Sequence, residues 1–382
     1  MNPTSPSQTR TVDIQDLPGP AQRILGPNAP APLQMMGARG IAPGLKPDAV
    51  VTLVCAFVDN ADALLSQTAR DTLETLPSHV LVSALATDLQ PTVLEMLAEA
   101  QSTDIALVIR LLAARHITSA ALEIIAERAS ESIGEVVAAS DSVLLRFPRV
   151  IEKLYMNRRV RMSTADRLVD LAVRNNLVLD IPAFKQAAAA IQNQLIPEAT
   201  EEPTFDDELF QKVEEIAKDL PDAVEEDTHE VNDEGEEAVK EKFLPIYAQI
   251  AMMSITQKIR RATLGTSAER LLLVRDSNRL VATAAATSPL MKDGEAARIA
   301  ASRNVIDDVL RIIAQNRDFT RNYQVKLNLV SNPRTPFTFS SRIIPLLRDN
   351  DLRSLSKSKN VPGAIQTAVR QQLMRKQGGG NE

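Results

Sequence analysis

The sequence predicts an all-α protein, built as an α-solenoid of helical repeats in two blocks. Three observations indicate this fold. An apolar–turn–apolar unit recurs three times with the same internal spacing, which is typical of helical repeat arrays. Apolar residues follow helical rather than strand periodicity. Aromatic residues make up 3% of the 382 residues and Trp is absent, so small aliphatic side chains must fill the core. Such side chains suit closely stacked helices.

The repeated unit is defined by a small polar residue at a zero position. An apolar residue lies seven and three positions before it, and an arginine followed by an aliphatic residue lies ten positions after it. In the third copy we expect Asn332 to end a helix in a left-handed backbone conformation, with Pro333 preventing its continuation. The zero positions are Asn157, Ser288 and Asn332, in copies that cover 150–171, 281–300 and 325–347.

The repeated arginines of the three copies have two interpretations. They are either solvated side chains that support their own helices, or a row of charges that faces a partner. Under the second interpretation they are candidate partner-binding residues. The arginines are Arg167, Arg298 and Arg342.

Composition divides the chain into five segments. A Pro- and Gly-rich arm is expected to be mostly irregular, because proline blocks regular backbone hydrogen bonds, although short helices could form around residues 21–25 and 32–40. Two helical blocks are separated by an acidic linker, and a short tail follows the second block. The segments are the arm 1–44, the N-terminal helical block 45–195, the acidic linker 196–240, the basic C-terminal helical block 241–376 and the flexible tail 377–382.

The first block shows clear helix-start signals. Pro91 suits the first turn of a helix, where its missing N–H is not needed. Asp104 and Thr118 are good N-caps for helices that begin at the next residue. Leu171, near the end of the first repeat copy, and Leu346, near the end of the third, are expected to be core residues.

The linker is strongly acidic and contains one ordered pattern. Residues 198–237 hold 18 Asp and Glu against two Lys, a net charge of −16. An apolar stripe at helical spacing predicts an amphipathic helix over 205–220. That helix either docks on its own solenoid or recognises another protein. We expect disorder from His229 to Val239. The stripe residues offered as partner contacts are Phe205, Leu209, Phe210, Val213 and Ile216.

The charge of the chain is unevenly distributed. Residues 240–382 hold 24 Lys and Arg against 11 Asp and Glu, a net charge of +13 directly after the acidic run. Positive charge alone predicts salt-dependent, non-specific contact with nucleic acid. One hypothesis is therefore that the acidic linker lies against the basic block and masks it.

The turns Ser331–Pro336 and Thr287–Pro289, each leading into a short helix, resemble the Asn-Pro-x-Thr-Pro turn of leucine-rich-repeat-variant and HEAT-like repeats. Residues 275–281 and 315–320 are similar to a group of uncharacterised bacterial repeat proteins. The first copy departs from this pattern, because no proline follows Asn157. The resemblance implies a scaffold and no active residue, since such solenoids share a shape rather than a chemistry.

Signals of catalysis are missing from the sequence. The single cysteine, Cys55, lies in an apolar run and is expected to be a buried core residue. No phosphate loop, dinucleotide motif or HExxH motif occurs. We therefore predict that the protein is not an enzyme and has no catalytic residue, cofactor or metal.

No apolar run is long enough to span a bilayer and the N-terminus lacks the pattern of a secretory signal, so we predict a cytoplasmic protein without membrane insertion. The predicted function is a non-enzymatic scaffold or adaptor that binds an unknown protein partner through its helical-repeat surface. The alternative is a nucleic-acid-binding solenoid that uses the basic C-terminal block and is autoinhibited by the acidic linker.

Overall fold

The computed structural model describes residues 11–192, 202–220, 227–231 and 237–378. The described chain is predominantly helical, with one small two-stranded sheet, which confirms the all-α prediction. The chain forms two compact units, Met1–Leu179 and Asp180–Glu382. No helix within the described ranges is both long and apolar enough to cross a membrane.

The first unit contains twelve α-helices among its described residues. They are α1 (Gly19–Leu25), α2 (Ala31–Ala38), α3 (Pro47–Val58), α4 (Ala63–Thr75), α5 (Ser78–Leu85), α6 (Pro91–Gln101), α7 (Ile105–Leu112), α8 (Ser119–Arg128), α9 (Glu131–Ala138), α10 (Asp141–Arg146), α11 (Pro148–Met156) and α12 (Met162–Arg174).

Helices of the first unit pack in two alternating series. Helices α4, α6, α8 and α11 contact one another in succession, and so do α5, α7, α9 and α12. The side chains of Asp104 and Thr118 accept backbone N–H bonds at the starts of α7 and α8, and Pro91 opens α6, as predicted. Small buried residues such as Ala69, Ala98 and Ala121 allow this close packing.

The second unit contains the remaining elements of the described chain. They are α13 (Phe184–Ile191), α14 (Phe205–Lys218), β1 (His229–Val231), β2 (Glu237–Val239), α15 (Leu244–Met252), α16 (Ile255–Leu264), α17 (Ser267–Leu273), α18 (Arg279–Ala286), α19 (Asp293–Ala301), α20 (Asp307–Gln315), α21 (Tyr323–Ser331), α22 (Phe337–Ile343), α23 (Asp349–Lys357) and α24 (Gly363–Gly378), with 3-10 turns at Glu241–Phe243, Phe319–Arg321 and Ile344–Leu346.

The linker of the sequence analysis belongs to the second unit. Helix α13, which we placed in the N-terminal block, packs on α16 and α18. The predicted amphipathic helix is α14, which contacts α15. The expected disorder from His229 to Val239 is wrong for the described part, because β1 and β2 pair antiparallel with His229 opposite Val239. Residues 232–236, 193–201 and 221–226 lie outside the described residues.

The repeat positions are buried, but the turn geometry differs from the prediction. All nine apolar framework positions of the three copies have at most 7% of their surface exposed. Asn157 and Asn332 have φ values of −80° and −78° with extended ψ, so neither is left-handed. A backbone preference therefore does not explain why asparagine occupies these positions.

One core prediction near the third copy is wrong. Leu346 is 62% exposed, whereas its neighbour Leu347 is 2% exposed. The α-helix α22 passes directly into the 3-10 turn Ile344–Leu346, which advances side chains by about 120° per residue instead of about 100°. Residues three apart eclipse in such a turn, so Ile344 and Leu347, each 2% exposed, share its buried side, and Leu346 lies outside it. Leu171 is half-buried in α12.

Candidate binding surfaces

A groove lies on one helix series of the first unit. It has a volume of about 780 Å³ and is formed by α4, α6 and α8 together with the end of α3. Its apolar lining includes Leu73, Met96 and Ala120, and Ala120 is exposed. A concave surface with an apolar lining is the usual form of a binding site.

The charged residues that line this groove are mainly acidic. Arg128 donates to the backbone oxygen of Glu99 at 2.9 Å and pairs with the Glu99 carboxylate at 3.4 Å. Arg70 lies 3.9 Å from Asp59. The four carboxylates outnumber the two arginines, so the groove carries a net negative charge. The carboxylates are Asp59, Glu74, Glu95 and Glu99.

The second unit holds a group of buried ionic side chains, here called the arginine cluster. It consists of Arg260 and Arg261 in α16 and Arg270 in α17, each at most 2% exposed. Two equally buried carboxylates accompany it, Glu269 in α17 and Glu295 in α19. A buried charge is tolerated only where an opposite charge or a hydrogen-bond partner lies close to it, so the contacts among these five side chains define the local structure.

The contacts inside the cluster are short and paired. Arg270 binds Glu295 through two parallel bonds of 2.9 and 2.8 Å and also donates to the Gly265 backbone oxygen at 2.7 Å. Arg261 binds Glu269 at 2.6 Å. Glycine is required at position 265, because an added Cβ would lie 2.5 Å from the Arg261 carbonyl oxygen and 2.8 Å from a Glu269 oxygen.

Helix α14, which belongs to the acidic linker, covers the arginine cluster. Its Glu214 forms an ion pair with Arg261. The Phe210 ring lies 5.0 Å from the guanidinium carbons of both Arg260 and Arg261, a cation–π distance. Gln257 of α16 donates to the Asp206 backbone oxygen at 2.6 Å. Acidic and basic parts of the second unit are therefore in direct contact here.

The β1–β2 hairpin makes a second acidic contact. Arg275, which follows α17 and is almost fully buried, pairs with Asp227 at 2.9 Å and with Glu237 at 3.3 Å. Glu237 also accepts bonds from the Ser302 hydroxyl at 2.8 Å. Burial, followed by the charge of Arg275, lowers the pKa of His229 to about 4, although Asp227 and Glu237 act in the opposite direction. His229 is therefore neutral in the docked hairpin at physiological pH.

The predicted partner-binding arginines lie on different helices. Arg167 is half-buried on α12 of the first unit, Arg298 is half-buried on α19, and Arg342 is exposed on α22 of the second unit. Arg298 and Arg342 share a unit, but α19 reaches α22 only through α21 among its main packing partners. Whether these arginines face a partner stays a prediction.

The predicted recognition stripe on α14 faces inward. Leu209, Phe210 and Val213 are at most 5% exposed, and Ile216 is half-buried. Phe205, at the first turn, is 64% exposed. The inward-facing part of the stripe therefore packs within its own unit, and Phe205 remains accessible.

The sequence did not predict the hydrogen bonds that the side chains at the zero positions make. Asn332 Nδ2 donates to the carbonyl oxygens of Ala300 at 2.8 Å and Ser302 at 2.7 Å, at the end of α19. Asn157 Nδ2 does the same at the end of α8, with bonds of 3.0 and 2.9 Å to the carbonyl oxygens of residues 126 and 129. Ser288 Oγ donates to the carbonyl oxygen near the end of α16 at 3.3 Å. The signal for these bonds was a polar residue that keeps the same position between the apolar residues of all three copies.

A smaller cavity of about 360 Å³ lies between α13, α18 and α20. Asp308 accepts from Arg279 at 2.6 Å and lies 3.4 Å from Arg311 there, and Lys185 also lines the cavity. These basic side chains are exposed or nearly so. No group of three or more His, Cys, Asp or Glu in the described ranges is arranged to hold a metal ion.

Comparison of the chain with protein-family models, with curated proteins and with solved structures found no match, so the residues themselves carry every functional conclusion.

Proposed function

We propose that the protein is a non-enzymatic adaptor, built as an α-solenoid, that binds a protein partner in the groove of its first unit. The observation that carries this proposal is the groove itself, formed by three successive helices of one series. Successive packing of alternate helices is the arrangement that repeat proteins use to create elongated binding surfaces. The resemblance of the turns to HEAT-like repeats supports the same architecture.

The chemistry of the groove favours one kind of partner. The accessible apolar lining, Val58, Ala100 and Ala120, accepts aliphatic side chains, and the acidic residues around it attract Lys and Arg. A basic amphipathic helix offers both on one face. We therefore propose that the partner segment is a basic amphipathic helix.

The test fills the groove and reduces its negative charge without removing a structural contact. Ala120→Arg places a long cation in the groove, and arginine is a good helix former, so α8 should remain intact. Ala113→Arg is the matched control, because Ala113 is exposed at the end of α7 and does not line the groove. Tagged wild-type and variant chains are used to capture partners from lysate, with and without nuclease, and captured proteins are quantified by mass spectrometry.

We expect nuclease-resistant partners that are lost at least tenfold from Ala120→Arg and kept by Ala113→Arg. Equal capture by all three chains would refute the groove as the binding surface. Loss of every partner after nuclease treatment would instead support the nucleic-acid alternative.

A further inference from the structure

We propose that α16 and α17 form a receptor surface for acidic amphipathic helices, with α14 as its resident intramolecular ligand. The exchangeable occupant is a helix of a partner protein that carries an aromatic residue followed four residues later by a carboxylate. This surface lies in the second unit, so its test is independent of the groove proposed above.

The first argument is charge. In α16, α17 and α19, all of which the structure describes, the buried charged side chains are three arginines and two glutamates. Without α14 this surface would present an excess of positive charge in a partly apolar setting, which is unfavourable. Helix α14 brings the carboxylate of Glu214, 20% exposed, which pairs with Arg261. An anionic occupant is therefore what the surface requires.

The second argument is the pattern of recognition. Phe210 and Glu214 are four residues apart, so both project from one face of α14. The ring stacks on two guanidinium groups, and the carboxylate binds one of them. Leu209 and Val213 supply the apolar contact beside them. Aromatic, aliphatic and acidic side chains at these spacings form a short sequence motif that a helix of another protein can also carry.

The third argument is that α14 is a complete ligand by itself. Thr204 and Asp207 form a capping box, in which the Thr204 N–H donates to the Asp207 carboxylate at 2.8 Å and the Asp207 N–H donates to the Thr204 hydroxyl at 3.3 Å. Its N-terminal end is therefore satisfied without help from the rest of the chain. Apart from the Asp206 carbonyl contact, the contacts described above use side chains. A separate peptide with the same side chains can reproduce them.

The binding test uses the full chain and a labelled peptide of residues 202–220. Phe210→Ala with Glu214→Gln in the chain weakens the resident helix and leaves α16 and α17 unchanged. We expect the peptide to bind this double variant at least tenfold more tightly than the wild-type chain, as measured by fluorescence anisotropy. A peptide carrying the same two substitutions is the matched control and should bind neither chain. Binding of the unmodified peptide to neither chain would overturn the proposal.

Two further measurements test the choice of partner and the mobility of α14 separately. A labelled DNA duplex replaces the peptide in one arm, and tighter binding of duplex than of peptide to the double variant would overturn the choice of partner. Hydrogen exchange on the unmodified chain does not depend on the folding of any variant. We expect the α14 amides to exchange at least tenfold faster than those of α16 and α18, because α14 leaves its surface without global unfolding. Equal protection would show that α14 is a fixed part of the core.

Discussion

At the scale of single residues, three polar side chains join helices that are far apart in sequence. The last carbonyl groups of an α-helix have no partner within the helix. Asn157, Ser288 and Asn332 each donate to such carbonyls on a neighbouring helix, at the ends of α8, α16 and α19. Each bond therefore satisfies a helix end and fixes the position of the next helix. Asparagine is best suited to this task because its amide offers two donors.

The structure predicts unequal effects of two substitutions at Asn332, which is 4% exposed. Asn332→Ala leaves two buried carbonyls without a donor and should lower the free energy of unfolding by about 2 to 3 kcal/mol. Asn332→Asp should be worse, because a carboxylate oxygen would face those carbonyls. Urea denaturation at pH 7 measures both. If Asp were tolerated better than Ala, a backbone role for Asn332 would be favoured over the amide bonds.

At the scale of elements, the acidic segment contributes a helix and a hairpin that dock on basic elements of the second unit. The helix could be predicted from its apolar stripe. The hairpin could not, because β1 and β2 are only three residues each and their stability comes from Arg275, a residue nearly forty positions further on. Short strands in a charged segment give no periodic signal, so composition alone suggested disorder.

The hairpin should loosen in acid. The pKa of His229 is lowered to about 4 in the folded protein, against an ordinary value of 6.5. The unfolded segment therefore takes up a proton at higher pH than the docked one. The contribution of neutral His229 is complete above pH 6.5 and is lost as the pH falls towards 4. The amide of Lys240 donates to the Thr228 backbone oxygen at 3.0 Å beside the paired strands. Its exchange, corrected for the pH dependence of intrinsic exchange, should reveal more frequent opening over this interval.

The control for this experiment is His229→Gln, which cannot be protonated. In that variant the opening of the hairpin should stay nearly constant between pH 6.5 and 4.5. A pH dependence equal to that of the wild-type chain would assign the effect to Asp227 or Glu237, which also face Arg275, and would exclude His229 as its cause.

The arginine cluster shows which part of the site was hidden from sequence analysis. Helix starts such as Asp104 follow from local rules and were predicted. Arg260, Arg261 and Arg270 entered the sequence analysis only as part of the net charge of the basic block. Their burial depends on carboxylates up to 47 residues away, such as Glu214. Charged residues at a packed surface look like charged residues at a solvated surface until the partner helices are known.

At the scale of the whole molecule, the compact units divide between Leu179 and Asp180, before the composition changes. Composition placed the end of the first block at residue 195, because α13 is as apolar as the helices before it. Contacts place α13 with α16 and α18, where Ala187 and Ile191 are buried. Composition therefore locates the acidic run correctly but does not locate the boundary between the units.

This boundary predicts the behaviour of two fragments. A fragment of residues 180–382 should fold cooperatively. A fragment of residues 196–382 lacks α13 and should be less stable by about 3 kcal/mol, because α16 and α18 lose the burial that Ile191 and its neighbouring alanines provide. Urea denaturation followed by circular dichroism compares them. Equal unfolding midpoints would show that α13 contributes nothing to the second unit.

Cys55 gives the molecule a practical property. It is the only thiol in the chain, it lies in the interior of α3, and burial raises its pKa to about 12. Maleimide reagents require an accessible thiolate, so the native protein is inert to them. Cysteines introduced at exposed positions would then be the only sites labelled. Ala113→Cys marks the first unit, and Gly363→Cys marks the second, where an added Cβ meets no atom within 4 Å. A dye pair at these positions turns the separation of the two units into a directly observable quantity.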